Sequence, residues 1–459
     1  MPKTDSAARK QNALIEHYGF LDETLRHVSE QAEASSTFFA PAFRIPEMSS
    51  RLADFFSPAE AGVSRLGRYR GKDIALLDLM GNPRTRTTKT FASLVLVARA
   101  VEHIRTTGEP ITIVTPSSAN KGTALRDAVL RAIESGLADP DQLQITTLVP
   151  ETSRDKLWSS PLDEDVLLRR RNPVAVLQGG APADVKTIAQ DFVAQFSKEF
   201  LASTGRRLWY TLGLDNYRVA DAVRARVEST LHPAVGKRIH VHSVSSAYGL
   251  LGHHFGRTRS SDPAGPPAGH DAPAPAYFLV QHLGRPDMVV SLYHGDFSRS
   301  HIPDYRFDAE SGLYRQDTDP HFPQVTADPE ESLDSTFYTS CPPTSPEMNE
   351  LIAEQGGGGI VVSRKECLDR YFEIRHLLSQ AGITLPDNPG RLREWSLVMA
   401  MTGTLMAIDR GLIPDIDDVL VHGSGSYTQD DFEPLASGML HKIGGLEEFR
   451  AAVLHAAQD

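Results

Sequence analysis

The 459-residue sequence predicts an α/β protein with a two-domain, open parallel-sheet architecture. Short apolar segments alternate with longer segments of helical periodicity from residue 74 to residue 244, and the alternation resumes from 346 to 422. The apolar segments are almost continuously hydrophobic, which is typical of parallel strands covered on both faces. The length also fits two or three domains.

The first series of elements follows an N-terminal segment, 1–70, that we predict to be mainly helical. The predicted strands are 74–79, 111–115, 144–149, 174–177, 208–212 and 239–244. The helices predicted among them are 91–105, 123–135, 184–201 and 216–231. Pro110 and Pro116 bound the second strand, and Gly136 closes the second helix, as expected of residues that end regular structure.

The second half of the chain is less regular. Residues 258–275 are rich in Pro, Ala and Gly and have little to bury, so we expect a flexible insertion there. Residues 276–335 predict irregular structure. Helices 346–355, 364–380 and 393–410 and strands 360–362 and 418–422 are then predicted. We therefore expect an N-terminal helical segment (1–70), a smaller α/β domain (71–200) and a larger α/β domain (201–459).

Composition excludes several classes of protein. The net charge of −12 argues against binding to nucleic acid or to an anionic membrane, since both would repel the chain. Only Cys341 and Cys367 are present, which excludes a disulfide framework and a cysteine metal site. The N-terminus lacks the apolar core of a secretion signal, and no run of 18 apolar residues occurs. We expect a cytoplasmic protein.

Lys89 is the residue with the clearest chemical meaning. It opens a predicted helix, and 31 residues separate it from Asn120 in the turn Ser117-Ser-Ala-Asn-Lys-Gly122. One helix and one strand fill that interval, so the amine and the polar turn can meet. A lysine that forms a Schiff base with an aldehyde cofactor needs such an arrangement, with a polar turn to hold the ring hydroxyl and the substrate carboxylate.

Each half of this pattern also has a simpler interpretation. A lysine at a loop-to-helix junction is commonly a solvated surface group, and Ser-Ser-Ala-Asn can serve only to cap the helix that follows. Lys121 would then face solvent rather than bind an anionic group.

Two further turns are candidates for cofactor contacts. Residues 213–218 follow a predicted strand and open a helix, which is where open α/β sheets bind phosphate, although a simple capped turn fits equally well. Residues 419–427 form an apolar strand that runs into a Gly/Ser turn, where Ser424 or Ser426 would meet a ring nitrogen. A tight turn that merely uses its glycines is the alternative there.

We predict no metal site. His253 and His254 are adjacent, and neighbouring residues on a helix point apart. The glycine-dense segment 355–360 lacks the strand-turn-helix context of a dinucleotide fingerprint, so it predicts only a flexible connection.

These motifs resemble those of the fold-type-II pyridoxal-phosphate enzymes, the tryptophan synthase β superfamily. Lys89-Thr-Phe-Ala is similar to the Schiff-base lysine motif, and Ser118-Ala-Asn-Lys-Gly122 is similar to the Ser-Gly-Asn-x-Gly loop. Threonine synthase-like proteins are the nearer group, since segments 176–185, 339–344 and 360–363 resemble theirs. The resemblance covers most of 74–250 and 335–430. Ala119 departs from the pattern by replacing the loop glycine, and the phosphate loop has few glycines.

The resemblance implies pyridoxal 5'-phosphate (PLP) as cofactor and Lys89 as the catalytic Schiff-base lysine. It implies that the cofactor is bound by Lys89, Asn120, Gly213, Leu214, Asp215, Asn216, Arg218 and Ser424. The implied substrate-binding residues are Ser117, Ser118, Ala119, Lys121 and Gly122.

The implied reaction is a β- or γ-elimination or replacement on an amino acid that bears a leaving group, catalysed by a threonine synthase-like lyase or transferase. The divergence points to specialised rather than central metabolism. A PLP-dependent dehydratase or racemase and a catalytically inactive ligand-binding relative are the alternatives. A nicotinamide dehydrogenase is discouraged because the dinucleotide fingerprint is absent. We expect the protein to form a homodimer. We expect its ligand to be a small amino-acid substrate.

Overall fold

A computed structural model of the chain describes residues 9–31, 38–259, 273–334, 336–413 and 415–458. Most of the predicted 258–275 insertion lies outside the described residues. The chain forms two compact units. Unit 1 consists of Glu60–Gly81 and Arg224–Gln429 with the described residues before position 12, and unit 2 of Asn12–Ala59, Asn82–Val223 and Asp430–Asp459.

The strands are numbered along the chain. They are β1 (Arg9–Asn12), β2 (Glu60–Tyr69), β3 (Lys72–Asp78), β4 (Ile111–Pro116), β5 (Leu143–Pro150), β6 (Val174–Leu177), β7 (Arg207–Tyr210), β8 (Arg238–Ser243), β9 (Ala276–His282), β10 (Arg306–Asp308), β11 (Leu313–Arg315), β12 (Val325–Thr326), β13 (Gly357–Val362), β14 (Leu392–Glu394), β15 (Asp418–His422), β16 (Tyr427–Thr428) and β17 (His441–Ile443).

The α-helices are numbered in the same way. They are α1 (Ala13–Glu16), α2 (Tyr18–Gln31), α3 (Ser50–Phe56), α4 (Lys89–Thr107), α5 (Asn120–Glu134), α6 (Pro161–Glu164), α7 (Val166–Arg171), α8 (Asp184–Thr204), α9 (Leu214–Asp221), α10 (Val223–Leu231), α11 (Tyr248–Thr258), α12 (Asp287–His294), α13 (Ser345–Gln355), α14 (Arg364–Asp369), α15 (Tyr371–Ser379), α16 (Ser396–Asp409) and α17 (Leu446–Ala457). Within the described ranges, no helix is both long and apolar enough to cross a membrane.

Unit 1 is built on a seven-stranded sheet of order β1-β2-β3-β15-β8-β9-β13. From β3 to β13 the neighbouring strands are parallel, and β2 runs antiparallel to β3 at the edge. The carboxyl ends of β8 and β15 therefore lie side by side at one edge of the sheet. In open α/β sheets this edge is where ligands bind.

The two faces of this sheet differ in chemistry. Successive residues of a strand point to opposite faces. Ile239 and Val241 of β8 belong to an apolar core that also contains α16. The alternate residues Arg238, His240 and His242 face the other way, and all three are buried. Burying polar residues on a central strand requires partners for each of them.

Unit 2 is built on a five-stranded parallel sheet of order β17-β6-β5-β4-β7. Helices α4 and α5 pack against each other beside it. Helix α4 is buried along most of its length, which explains why its sequence is apolar on more than one face.

The predicted fold class, an α/β protein with open parallel sheets, is confirmed. Residues 60–69, predicted as part of a helical segment, instead form β2. The predicted helices 216–231 and 364–380 are each divided in two. In the segment predicted to be irregular, 276–282 is the strand β9; it is buried at every position and so lacks the alternation that would have revealed it.

The compact units divide the chain at other points than the predicted domain boundaries. Residues 201–223 belong with the Lys89 segment, because β7 pairs with β4 in the sheet of unit 2. The C-terminal residues after 429 also join unit 2, where β17 pairs with β6.

Candidate active site

Lys89 is the first residue of α4 and is partly exposed. The loop before it is held by a small set of hydrogen bonds: Thr85 and Thr90 share one between their hydroxyls at 2.7 Å, and Asn82 Nδ2 donates to Thr90 Oγ1 at 3.3 Å. Asn82 Nδ2 also donates to Asp127 of α5 at 2.8 Å. The start of α4 is therefore fixed relative to α5, the helix that Asn120 opens.

The turn between β4 and α5 is organised around the Ser117 hydroxyl. Its oxygen accepts hydrogen bonds from the backbone N–H of Ala119 at 3.1 Å and of Gly122 at 2.7 Å. Gly122 is required here, because a Cβ would lie 2.8 Å from Thr147 Cγ2. Ser117 is thus engaged inside its own turn, and the first amides of α5 lie at a helix start, where anions bind.

Ala119 stands in a strained backbone conformation. Its φ is +96° and its ψ is −66°, and its side chain is buried. A positive φ disfavours every residue except glycine, by roughly 1–2 kcal/mol. Strained residues concentrate at functional sites, where the surrounding structure holds them in place.

Two lysines act on the buried amine of Lys121, which follows Asn120 in this turn. Lys121 Nζ is buried and has no hydrogen-bond partner among the described residues, and it lies 5.7 Å from the centre of the Tyr217 ring. Burial lowers the pKa of Lys121 well below its ordinary value of 10.5, and the charges of Lys186 and Lys89 lower it further. Within the described part of the chain, no carboxylate is among the groups that shift that pKa. Such surroundings favour a bound anion or a neutral amine.

The predicted phosphate turn, 213–218, lies in unit 2 with Lys89. Its Asn216 is buried, with Oδ1 accepting a short hydrogen bond from Arg99 and Nδ2 donating to Thr211 O at 3.4 Å. Arg99 is itself buried, with its guanidinium 3.7 Å from the centre of the Phe43 ring. The Asn216 amide is therefore held by a structural arginine. Of the rest of this turn, Gly213 precedes α9, and Leu214, Asp215 and Arg218 are half-buried.

A second turn with the geometry of a phosphate site lies in unit 1, between β8 and α11. Ala247 precedes α11 with φ +50°, and its side chain does not cap the helix. Ser243 Oγ is buried and has no hydrogen-bond partner within the described part of the chain. The turn is not rich in glycine, so the sequence analysis passed over it.

Arg224 lies against the first turn of α11. A Cβ added to Gly249 would be 2.5 Å from Arg224 Nη1, so only glycine permits this approach. The guanidinium donates to two imidazoles, His242 Nε2 at 3.4 Å and His422 Nδ1 at 3.3 Å. A buried cation beside the positive end of a helix is unfavourable by itself and favours an anion between them.

The C-terminal Gly/Ser turn follows β15 in the same unit. Ser424 is buried and Ser426 is half-buried. Gly423 donates its N–H to Leu77 O at 2.7 Å, which fixes the path of the chain as it leaves the sheet. Since β15 and β8 are parallel neighbours, this turn and the turn before α11 lie at the same edge of the sheet.

The fold belongs to the open α/β architecture of the threonine synthase type. Threonine synthase from Brucella melitensis, solved with PLP bound, is similar with a TM-score of 0.53 at 12% identity, over 96% of this chain and 89% of that one. Threonine synthase from yeast is similar with a TM-score of 0.52 at 11% identity, over 98% of this chain and 91% of that one. At these identities the likeness establishes the fold.

The chain belongs to a family of unknown function, DUF6002, whose sequence model matches residues 9–457. No curated protein sequence matches the chain.

Proposed function

We propose that the protein is a PLP-dependent enzyme that eliminates or replaces a leaving group on an amino-acid substrate. The observation that carries this proposal is the proximity of three groups in unit 2. Lys89 is close enough to Lys121 to lower its pKa, and Asn120 immediately precedes Lys121 at the start of α5. When bound, PLP supplies an aldehyde that reacts with amines and a ring that withdraws electrons from the substrate Cα.

The residues of this chain fit that cofactor. Lys89 is partly exposed at a helix start, where its amine can reach an aldehyde. The Asn120 amide can donate to a ring oxygen, and the first N–H groups of α5 can hold a carboxylate. Once released by the substrate, the Lys89 amine would take the Cα proton on Nζ and return a proton later, as one group acting as base and acid.

Within unit 1 we propose that the turn before α11 binds a phosphate group. Ser243 Oγ, the N-terminal amides of α11 and the Arg224 guanidinium supply a hydroxyl, a positive helix end and a cation. Within unit 2, Asn216 already accepts a hydrogen bond from Arg99, which weighs against residues 213–218 as a phosphate site. Of the two serines in the Gly/Ser turn of unit 1, Ser424 is the more buried.

Lys121 narrows the class of substrate. Its buried Nζ has no hydrogen-bond partner among the described residues, and the charge of Lys186 acts on it, which favours a substrate that carries an acidic group besides its α-carboxylate. A racemase or dehydratase is the second candidate function. It is favoured by the lowered pKa of Lys121, because a neutral amine near Lys89 offers a second base.

Titration of the purified protein with PLP tests the proposal. We expect a visible absorption band from the bound cofactor in the wild type and in Lys198→Ala, an exposed lysine of α8. The band should be lost in Lys89→Ala. Circular dichroism would show whether each variant is folded. A folded wild-type protein that binds no PLP would contradict the proposal and would favour a ligand-binding relative without this cofactor.

A further inference from the structure

Unit 1 contains a buried cluster of three potential metal ligands apart from the residues proposed to hold the cofactor. Glu228 of α10, His240 of β8 and His253 of α11 place their ligand atoms within 4.8 Å of one another. Glu228 Oε2 accepts from His253 Nε2 at 2.6 Å, and Glu228 Oε1 lies 3.6 Å from His240 Nε2. The sequence analysis considered only the adjacent pair His253 and His254, and so missed partners on other elements.

The second nitrogen of each imidazole is held by a polar neighbour. His253 Nδ1 lies 3.1 Å from the Tyr277 hydroxyl, and His240 Nδ1 lies 2.9 Å from His422 Nε2. Histidines that ligate a metal are almost always oriented in this way through the other ring nitrogen. Both Nε2 atoms therefore point at Glu228.

One ligand atom of the cluster has no hydrogen bond. His240 Nε2 is buried and has no hydrogen-bond partner in the described parts of the chain. A buried polar atom left in this state is unfavourable. An ion bonded to His240 Nε2 and Glu228 would supply the missing partner.

Charged groups of both signs surround the cluster: besides Arg238, the positive charges of Arg257 and Arg224 act on His253. Arg238 donates to Glu228 Oε1 at 2.7 Å and to Asp418 Oδ2 at 2.6 Å. One guanidinium thus bonds to two carboxylates, so the net charge of these three groups is negative. Arg238 donates to Oε1, the oxygen nearer His240 Nε2, while Oε2 is the oxygen that bonds to His253 Nε2.

We propose that Glu228, His240 and His253 bind one divalent ion of the zinc type. Two imidazoles and a carboxylate are a donor set that Zn²⁺ takes in proteins, with a fourth position left for water. The ion would link α10, β8 and α11 and so hold the helix whose first turn adjoins Arg224. This inference does not depend on the cofactor.

Ligation would also reverse the hydrogen bond between His240 and His422. Arg224 can only donate, so without the ion His422 accepts at Nδ1 and donates from Nε2 to His240 Nδ1. An ion on His240 Nε2 requires the proton at His240 Nδ1, which then donates to His422 Nε2. His422 would then carry its proton on Nδ1, so its hydrogen bond with Arg224 would be lost, and Arg224 would keep only the bond to His242 of the two.

The experiment begins with full-length protein treated with a chelator. Co²⁺ is added to the folded protein, and to a second sample during refolding, because the cluster is fully buried. We expect one Co²⁺ per chain, with the visible spectrum of a four- or five-coordinate site, and its displacement by Zn²⁺. Nitrogen-15 spectra should show the His422 proton moving from Nε2 to Nδ1.

Variants locate the ion. Glu228→Gln and His240→Asn should lose Co²⁺ binding, and His254→Gln, on the same helix, should bind as the wild type does. If the ligand variants do not fold, Tyr277→Phe takes their place, with an expected loss of about 10–100-fold in affinity. Folded wild-type protein that takes up no Co²⁺ in either sample would overturn the proposal, as would unchanged binding in folded Glu228→Gln or Tyr277→Phe.

Discussion

The two units bury cations in opposite ways. In unit 2, Lys121 Nζ is buried and has no hydrogen-bond partner among the residues that the structure describes, and the charges of Lys186 and Lys89 act on it. In unit 1, Arg238 is also buried but donates to both Glu228 and Asp418. A paired cation is part of the structure of the folded chain, whereas an unpaired one is disposed to bind an anion from solution.

The largest expected effect is on activity and follows from Lys89. If its Nζ moves the substrate proton, Lys89→Ala should lower turnover by about 10²–10⁴-fold, the usual contribution of a positioned acid or base. Turnover would be followed with amino acids that carry a phosphate or acyl leaving group. Lys198→Ala should keep full activity, and equal activity in both variants would remove Lys89 from the mechanism.

The next effect is on stability and follows from Arg238. Replacing it with Met leaves Glu228 of α10 and Asp418 of β15 without their cation, which should destabilise unit 1 by about 3–5 kcal/mol. Chemical denaturation would measure this change. Arg306→Met, at an exposed position in the same unit, serves as the control and should change stability little. A loss below about 1 kcal/mol for Arg238→Met would show that the pair contributes no more than a surface salt bridge.

Lys121→Met should act in the opposite direction on stability. It removes a buried amine that has no hydrogen-bond partner in the described ranges, so the ligand-free protein should become more stable by about 1–3 kcal/mol. The same substitution should weaken binding of acidic substrates. A variant that loses both stability and binding would mean that Lys121 is a structural residue.

The stability difference between Lys121→Met and the wild type should depend on pH. The pKa of Lys121 is lowered from 10.5 in the folded protein, so the unfolded chain binds more protons between the lowered pKa and 10.5. Wild-type stability relative to the variant should therefore rise with pH through that window. Parallel pH profiles for the two proteins would show that the amine keeps its ordinary pKa after folding.

The smallest effect concerns Ala119. A glycine there would relieve the strain of a φ of +96° but would add chain entropy to the unfolded state, so Ala119→Gly should stabilise unit 2 by at most about 1 kcal/mol. Ala119→Val should destabilise it. Thermal unfolding would rank the stabilities of the two variants and the wild type. An Ala119→Val variant more stable than the wild type would contradict the assignment of strain to Ala119.

The sequence predicts features that depend on neighbouring elements, but not those that depend on how distant elements pack together. Lys89 and Asn120 were predicted as neighbours because one helix and one strand lie between them, and local periodicity reveals both. The Glu228 cluster depends on which elements pack together around β8, and no local pattern states that. The turn before α11 was missed because Ala247 takes a left-handed conformation in which a glycine would have been recognised.

The most direct test of the central claim is to locate the lysine that reacts with the cofactor. The protein is loaded with PLP, reduced with borohydride, digested and mapped by mass spectrometry. We predict one pyridoxyl group on Lys89, with Lys121 and Lys186 unmodified. A group fixed on Lys121 or Lys186, or none on any lysine of the folded protein, would contradict the account.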